Sequence, residues 1–132
     1  MVSNFRAADL AAGGQGAPLA TLFHLRAFGV PGRHICVQNL GGIGNVTSIA
    51  WRTGTRPKVQ SFDTGPGNML IDGAVRRASQ GRLGFDREGR WGAAGTVHET
   101  LIRRWLRHPF FRRPPPKSTG RELFNRAWLQ KK

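Results

Sequence analysis

A β-rich run that breaks at a glycine- and proline-containing hexapeptide and then becomes helical limits this chain to a mixed α/β fold. Residues 59–62 have the β-branched and aromatic character of a short strand, which the sequence DTGPGN at 63–68 is expected to end. Over residues 69–78 the apolar side chains recur at helical spacing. A strand, a tight turn and a helix in immediate succession are typical of α/β domains.

Three segments before this unit extend the pattern. Apolar residues at helical spacing predict a helix over residues 19–28. Two β-rich runs on either side of Gly41 and Gly42 predict a tight hairpin over residues 35–51. The glycines at 13–16 predict a loop before the helix. Helical and extended segments therefore alternate along the chain, as in an α/β domain.

Two capping-box sequences predict helix starts in the second half of the chain. A threonine precedes a glutamate by three residues at 96–99 and again at 119–122. Helical spacing follows the first box to about residue 107 and the second to about residue 129. A length of 132 residues suits one modest core, so we expect a single domain over residues 1–132.

The net charge of the chain is unusual. The sequence has 21 Lys and Arg against 7 Asp and Glu, a formal charge of +14. Such an excess normally indicates nucleic acid or another anionic partner. The arginine pairs form no single block, and no zinc-finger, helix-turn-helix or RNA-recognition signature accompanies them. A small basic protein that binds anions or nucleic acid through its surface is therefore the alternative to an enzyme.

Several protein classes are disfavoured by the sequence. No apolar run approaches the roughly 20 residues of a membrane span, and the first residues carry no signal-peptide core. Cys36 is the single cysteine, so an internal disulfide or a cysteine-rich metal site is excluded. The chain has four histidines, His24, His34, His98 and His108, and they do not have the spacing of metal ligands. We predict that none of them binds a metal. A cytoplasmic protein is expected.

Asp63 is the strongest candidate catalytic residue, because it is expected where the strand ends and the turn begins. A carboxylate at the carboxyl end of a strand is held rigidly where α/β sheets bind ligands. There it could act as a general base, with Thr64 and the amide of Gly65 beside an anion or sugar hydroxyls. The alternative is an Asx turn, in which Asp63 bonds backbone amides of its own loop.

Two glycine-rich segments are further candidate binding elements. Gly41 and Gly42 could let a phosphate approach the backbone, although a hairpin turn alone also explains them. The sequence GGQG at 13–16 offers flexible backbone and one amide side chain, and it matches neither the phosphate loop nor the dinucleotide fingerprint. Arg6 and Asp9 are three residues apart and could flank a polar ligand or pair with each other.

Four segments together resemble the anhydro-N-acetylmuramic acid kinase family, in this order and at these spacings. They are spread from residue 4 to residue 125, nearly the whole length of the chain: NFRAAD at 4–9 running into AAGGQGAPL, NLGGIGNVT at 39–47, FDTGPGNMLID at 62–72 and RPPPKSTGRELFN at 113–125. A softer match lies at 86–95, where DREGRW is followed by GAAG. The combination is far more specific than any one segment.

The resemblance implies a partial two-lobed fold of the actin, hexokinase and Hsp70 type, which is ribonuclease H-like. It implies an ATP-dependent sugar kinase that hydrolyses the 1,6-anhydro ring while transferring the γ-phosphoryl group to O6. The product would be N-acetylmuramic acid 6-phosphate, in amino sugar catabolism and peptidoglycan recycling. ATP and Mg²⁺ would be the cofactors, the sugar and ATP the partners, and a homodimer is one arrangement open to the intact enzyme.

The resemblance also implies roles for individual residues. Asp63 would be the base that activates water for attack at the anomeric carbon. The sugar pocket would be formed by Arg6, Asp9, Gly13, Gly14, Gln15 and Thr64. The phosphate side of the nucleotide site would be formed by Gly41, Gly42 and Gly65.

The sequence departs from the family in four places. Asn4 stands where the family usually has Asp, and Gly44 replaces a commoner Ala. The family's N-terminal phosphate loop, a Gly-Thr-Ser run followed by Asp-Gly, is absent, and so is the adenosine-side segment expected beyond Asn125. We therefore expect a single incomplete domain, the central part of such a kinase, which is inactive alone.

Overall fold

The computed structural model describes residues 3–130, apart from the side chains of Arg126 and Gln130. Within that range a mixed α/β architecture contains one three-stranded antiparallel sheet with the strand order β1-β2-β3. The elements follow in the order α1 (Phe5–Ala11), α2 (Thr21–Phe28), β1 (Arg33–Leu40), β2 (Ile43–Trp51), β3 (Lys58–Pro66), α3 (Asn68–Ala78), a 3-10 turn (Arg87–Gly89), α4 (Arg90–Ala94), α5 (Glu99–Leu106), α6 (Pro109–Arg112) and α7 (Arg126–Gln130).

The chain divides into two compact units. The first unit holds most of the sheet and comprises the chain up to Asn39, together with Gly44–Thr64 and Pro114–Ser118. The second unit comprises Leu40–Ile43, Gly65–Arg113 and the chain from Thr119 onwards. Each unit is described by itself below.

In the first unit, helix α2 covers one face of the sheet. Ile49 and Thr47 of β2 are fully buried on that face, and Thr47 accepts or donates a hydrogen bond with His24 of α2. The opposite face is open: His34 Nε2 lies 2.7 Å from Ser48 Oγ at an exposed position. Alternate residues of a strand point to opposite faces, which explains why Thr47 and Ser48 meet different surroundings.

In the second unit, the core is an aromatic cluster. Phe110 and Phe124 are 1% and 0% exposed, and their ring centroids lie 5.6 Å apart in an edge-to-face arrangement. Trp128 of α7 packs against Phe124 at 5.5 Å and against Trp105 at 4.8 Å. Helix α3 packs against α7. Edge-to-face and tilted aromatic pairs at such distances stabilise beyond simple area burial.

Most of the predicted elements are confirmed. The hairpin at Gly41 and Gly42, the helix α2 and the helix α3 form where the sequence pattern places them. Helix α1 was not predicted, since its small residues carry no apolar periodicity; it begins at Asn4, whose side chain accepts a 3.4 Å hydrogen bond from the Ala7 N–H. A short N-cap residue can therefore mark a helix that hydrophobic patterning misses.

The predicted capping boxes are wrong. The first box predicts a helix that starts after Thr96, but helix α5 begins after His98. The side chain of His98 forms no capping hydrogen bond. Pro109 follows the end of that helix and occupies the first turn of α6, where a residue needs no N–H hydrogen bond. The His108 ring caps α6 by accepting a hydrogen bond from the Phe110 N–H. The last helix starts only at Arg126, since Asn125 Oδ1 accepts the Trp128 N–H and caps it there.

None of the helices within residues 3–130 has the length and apolar character needed to cross a membrane.

Candidate functional site

Polar side chains line the helix-covered face of strands β2 and β3. Thr47 Oγ1 lies 2.8 Å from Ser61 Oγ, so these two residues are neighbours across the strands. Because side chains alternate, Asn45 shares the face with Thr47, and Asp63 shares it with Ser61. A face that a helix covers is normally apolar, and this polar row therefore marks a candidate site in the first unit.

Asp63 lies inside β3, and the prediction that it ends the strand is wrong. The strand continues for three more residues, through Pro66. Asp63 is only 5% exposed, and its backbone N–H donates a 2.9 Å hydrogen bond to the carbonyl of Lys117, itself 8% exposed. The Asp63 backbone therefore lies in a strand and is also bonded to the segment around Lys117.

A chain of hydrogen bonds connects α2 to this face of the sheet. His24 Nδ1 lies 2.8 Å from Thr47 Oγ1, Thr47 Oγ1 2.8 Å from Ser61 Oγ, and Thr21 Oγ1 2.8 Å from Ser61 Oγ. Thr21 Oγ1 can also donate to the Pro18 carbonyl at 3.4 Å. The polar groups of this covered face thus satisfy one another, as buried polar groups must.

An open pocket of about 430 Å³ lies beside this hydrogen-bonded chain, within the first unit. Its wall combines apolar and polar side chains: Arg6, Ala17, Pro18, Leu19, Ala20, His24, Asn39 and Asn45. Asn45 in this wall lies on the same face of the sheet as Asp63. One guanidinium, one imidazole and two carboxamides can donate or accept several hydrogen bonds, which suits a hydroxyl- and amide-rich small molecule.

Of the residues predicted for a sugar pocket, Arg6 lies in the pocket wall. Asp9 contacts the glycines of its own loop. Asp9 Oδ2 accepts a 2.7 Å hydrogen bond from the Gly16 N–H. A Cβ atom at Gly14 would collide with the Asp9 carboxylate. The loop at 13–16 is thus folded around Asp9, and over residues 3–130 the structure does not place Asp9, Gly13, Gly14 or Gln15 in the pocket wall.

Thr64 lies on the face of β3 opposite to Asp63, because the two are adjacent in a strand. Thr64 is half-buried. The structure therefore directs the Thr64 side chain away from that of Asp63, with which the sequence analysis groups it.

In the second unit, Gly41 and Gly42 form the hairpin tip. The Gly42 carbonyl accepts hydrogen bonds from the Gly67 and Met69 N–H groups at 2.9 and 3.2 Å, and the Gly41 carbonyl accepts from the Asn68 N–H at 2.9 Å. The tip is therefore tied to the start of α3. The N–H of Gly67 is committed to this contact.

Gly65 is buried against an aromatic ring of the same unit. Its φ of +138° is one that residues with a side chain rarely adopt, and a Cβ atom there would lie 2.8 Å from Phe111 Cε1. The close approach of backbone and ring explains why glycine occupies this position.

A resident metal site is not formed by the described side chains. Among residues 3–130, no three His, Cys, Asp or Glu side chains converge closely enough to hold a metal ion.

Sequence reasoning missed the polar residues that surround Asp63. His24 was interpreted as an ordinary histidine, and Thr47, Ser61 and Asn45 were not singled out. Their signal is a period of two: polar residues at alternate positions of two strands, facing a helix that carries Thr21 and His24 one turn apart. That pattern is readable only once the covered face of the sheet is known.

The whole chain, residues 1–132, matches the sequence profile of a family described as AnmK, Anhydro-N-acetylmuramic acid kinase. Curated proteins of that name are similar to it. The protein from Acaryochloris marina is 53% identical over 132 residues, which is 98% of this chain and 35% of the relative. Those from Rippkaea orientalis and Shewanella amazonensis are 50% and 47% identical, each over 98% of this chain and 34% of the relative. The chain thus spans about a third of the length of the curated relatives it matches.

Proposed function

This chain belongs to the anhydro-N-acetylmuramic acid kinase family, and from that membership we propose that it forms the sugar-binding and base-supplying part of such a kinase. The reaction is the ATP-dependent opening of the 1,6-anhydro ring of anhydro-N-acetylmuramic acid with phosphorylation at O6. The product is N-acetylmuramic acid 6-phosphate, and the role is peptidoglycan recycling. The actin- and hexokinase-like two-lobed fold, a cytoplasmic location and a homodimer belong to the same proposal. The chain alone is proposed to be inactive.

A rigidly held, buried carboxylate carries this proposal. Asp63 is 5% exposed, and the hydrogen bond from its N–H to the Lys117 carbonyl fixes its backbone. A general base works best when its geometry is set before the substrate binds. Asn45 shares the Asp63 face of the sheet and also lines the pocket of the first unit. A sugar in that pocket would therefore lie near the base.

The chemistry assigned to Asp63 is a proton transfer. A water molecule attacks the anomeric carbon, and the carboxylate accepts the proton that the water loses. The bond between the anomeric carbon and the bridging oxygen breaks, so that oxygen becomes O6 of the opened sugar. O6 forms a bond to the γ-phosphorus of ATP, and the bond from that phosphorus to ADP breaks.

The pocket supplies recognition of the sugar. The Arg6 guanidinium is suited to a carboxylate, and the carboxamides of Asn39 and Asn45 are suited to hydroxyl or N-acetyl groups. Five further residues are proposed to assist sugar binding only through the backbone and loop that carry Arg6 and Asp63: Thr64, Asp9, Gly13, Gly14 and Gln15.

ATP with Mg²⁺ is proposed as the phosphoryl donor, and Mg²⁺ would neutralise charge that develops on the phosphates. Gly41, Gly42 and Gly65 are proposed on the phosphate side. Support for the first two comes from their position at a hairpin tip, where the absence of side chains lets a phosphate approach the backbone N–H groups. Gly65 supports that region by admitting the ring of Phe111.

A chimeric enzyme tests the proposal. The matching third of the Acaryochloris marina relative is replaced by this chain, and the formation of N-acetylmuramic acid 6-phosphate is measured with ATP and the anhydro sugar. We expect turnover by the chimera and a loss of about a hundredfold or more for Asp63→Asn, in the range expected for a general base. Glu99→Gln is the control, because Glu99 is exposed and forms only a surface ion pair with Arg103.

Two results would contradict the proposal. Turnover retained by a correctly folded Asp63→Asn chimera would exclude Asp63 as the base. A chimera that melts like the parent enzyme but makes no product would show that this chain cannot supply its third of the kinase.

The formal charge of +14 favours one alternative, a basic protein that binds nucleic acid through its surface. Fluorescence anisotropy with arbitrary-sequence DNA separates the two. Affinity that falls by about a thousandfold between about 50 and 200 mM salt would support this alternative. Absent or salt-independent binding would remove it.

A further inference from the structure

We infer that His24 is a specificity-determining residue of the sugar pocket, whose Nε2 forms a hydrogen bond with an uncharged polar substituent of the sugar while Thr47 holds its Nδ1. The substituent is a hydroxyl or an N-acetyl group, which offer the same hydrogen-bonding chemistry. This inference rests on the proposed function, because it assigns a new residue to the same site.

The ring of His24 is fixed from the sheet side. Its Nδ1 lies 2.8 Å from Thr47 Oγ1, and Thr47 is fully buried. Thr47 is in turn bonded to Ser61, and Ser61 to Thr21, each at 2.8 Å. Thr47 therefore holds the Nδ1 edge of the imidazole, and Ser61 and Thr21 hold Thr47 in turn, so a rotation of the ring would break its bond to Thr47.

The hydroxyl chain also limits the protonation pattern of the ring. If Nδ1 donates to Thr47, the neutral ring presents a bare Nε2 that accepts. If Thr47 donates to Nδ1, as it does when Thr21 donates to Ser61 and Ser61 to Thr47, Nε2 carries a proton that it can donate. Either way, Nδ1 is used by the protein and Nε2 is the group left for a ligand.

His24 is placed to meet a ligand. It is half-buried and lines the pocket together with Arg6, Asn39 and Asn45. Among residues 3–130, no hydrogen-bond partner is found for its Nε2, which leaves that atom available to a ligand in the pocket. The rings of Phe23 and Phe28, at centroid distances of 6.0 and 6.1 Å, border it on the helix side.

The chain contains a matched control for this arrangement. His34 forms a bond of the same kind, 2.7 Å from Nε2 to Ser48 Oγ, on the opposite and exposed face of the sheet. His34 is not part of the pocket wall. Removal of the His34 ring therefore breaks a histidine–hydroxyl hydrogen bond on this sheet and leaves the proposed contact between His24 and the sugar unchanged.

Steady-state kinetics of the chimeric kinase test the inference. We expect His24→Ala to raise KM for the anhydro sugar about tenfold, the loss of one hydrogen bond, with kcat changed less than about threefold. His24→Gln retains a polar group and should recover part of the affinity. Thr47→Val keeps the shape of the side chain and should raise KM by a smaller factor, since it removes only the group that orients the ring. His34→Ala should leave KM unchanged.

A spectroscopic readout makes the test independent of turnover. In ¹⁵N-labelled protein, addition of the anhydro sugar should shift the Nε2 resonance of His24 and leave that of Nδ1 nearly in place, and Thr47→Val should change the tautomer ratio before any sugar is added. An active chimera in which neither His24→Ala nor His24→Gln raises KM, or in which sugar does not shift Nε2, overturns the inference and leaves the proposed function standing. An inactive but folded wild-type chimera overturns the proposed function instead.

Discussion

Gly65 offers the sharpest test of how the second unit is packed. Its φ is +138°, and a Cβ atom would lie 2.8 Å from Phe111 Cε1 and 3.8 Å from Phe110 Cε1. Gly65→Ala therefore combines two costs. A residue with a side chain in such a backbone region costs about 1–3 kcal/mol, and overpacking a close contact costs about 1–3 kcal/mol more. The expected loss is about 2–6 kcal/mol, a large share of a typical folding stability of about 5–15 kcal/mol.

Two glycines of the same unit separate these costs. Gly81 has a φ of +84° with nothing within 4 Å of a Cβ atom, so Gly81→Ala carries only the backbone cost of about 1–2 kcal/mol. At Gly42 the nearest atom would be Met69 Cβ at 3.9 Å, and no positive φ opposes a side chain. Gly42→Ala should change the stability by less than about 1 kcal/mol, through the unfolded state.

Urea denaturation followed by tryptophan fluorescence measures the series, because Trp105 and Trp128 lie in the same unit as Gly65. With a slope near 2 kcal/mol per molar urea, Gly65→Ala should lower the midpoint by about 1–3 M. In the double variant Gly65→Ala/Phe111→Leu, part of the steric cost should be relieved, which a double-mutant cycle detects. A Gly65→Ala variant no less stable than Gly81→Ala would refute the close approach to Phe111.

Two further predictions concern stability. Asp9→Ala removes the acceptor of the 2.7 Å bond from the Gly16 N–H, and we expect it to lower the free energy of unfolding by about 1–2 kcal/mol. Asp9→Asn should lower it less, because the amide side chain keeps an acceptor. Hydrogen exchange of the Gly16 amide should become faster in Asp9→Ala, and unchanged exchange would contradict this prediction. Phe124→Ala should lower the free energy of unfolding by about 3–5 kcal/mol, because Phe124 is fully buried among aromatic rings. Phe85→Ala is the control, since that side chain is 60% exposed, and it should cost less than about 1 kcal/mol. Equal urea midpoints for the two variants would show that Phe124 is not the centre of the core.

Local signals in the sequence determined much of the element pattern. The glycine pair at 41 and 42 between β-rich runs specified a hairpin, because only a tight turn lets such runs pair at once. Apolar spacing specified α2 and α3 for the same kind of local reason. The four motifs specified the family, since their combination and spacing are independent of how the chain packs.

Helix boundaries were less readable, because several caps compete within a few residues. The threonine–glutamate spacing at 96–99 matched a capping box, yet the helix starts after His98. Near the other box, the helix is capped by Asn125, six residues after the Thr119 that the pattern indicates. Which short polar side chain serves as the cap depends on where the preceding chain is held, and that is decided by packing.

Tertiary structure alone decided the surroundings of Asp63. Its sequence predicts a turn, but the residue lies inside β3, and its N–H donates to the carbonyl of Lys117, 54 positions along the chain. The joining of Thr21 and His24 with Thr47 and Ser61 likewise depends on a helix covering one particular face of the sheet. The sequence by itself determined which segments are helical or extended and to which family they belong, since those follow from neighbours along the chain. Which polar groups meet around the candidate base follows from contacts between distant segments, and a local pattern carries no record of them.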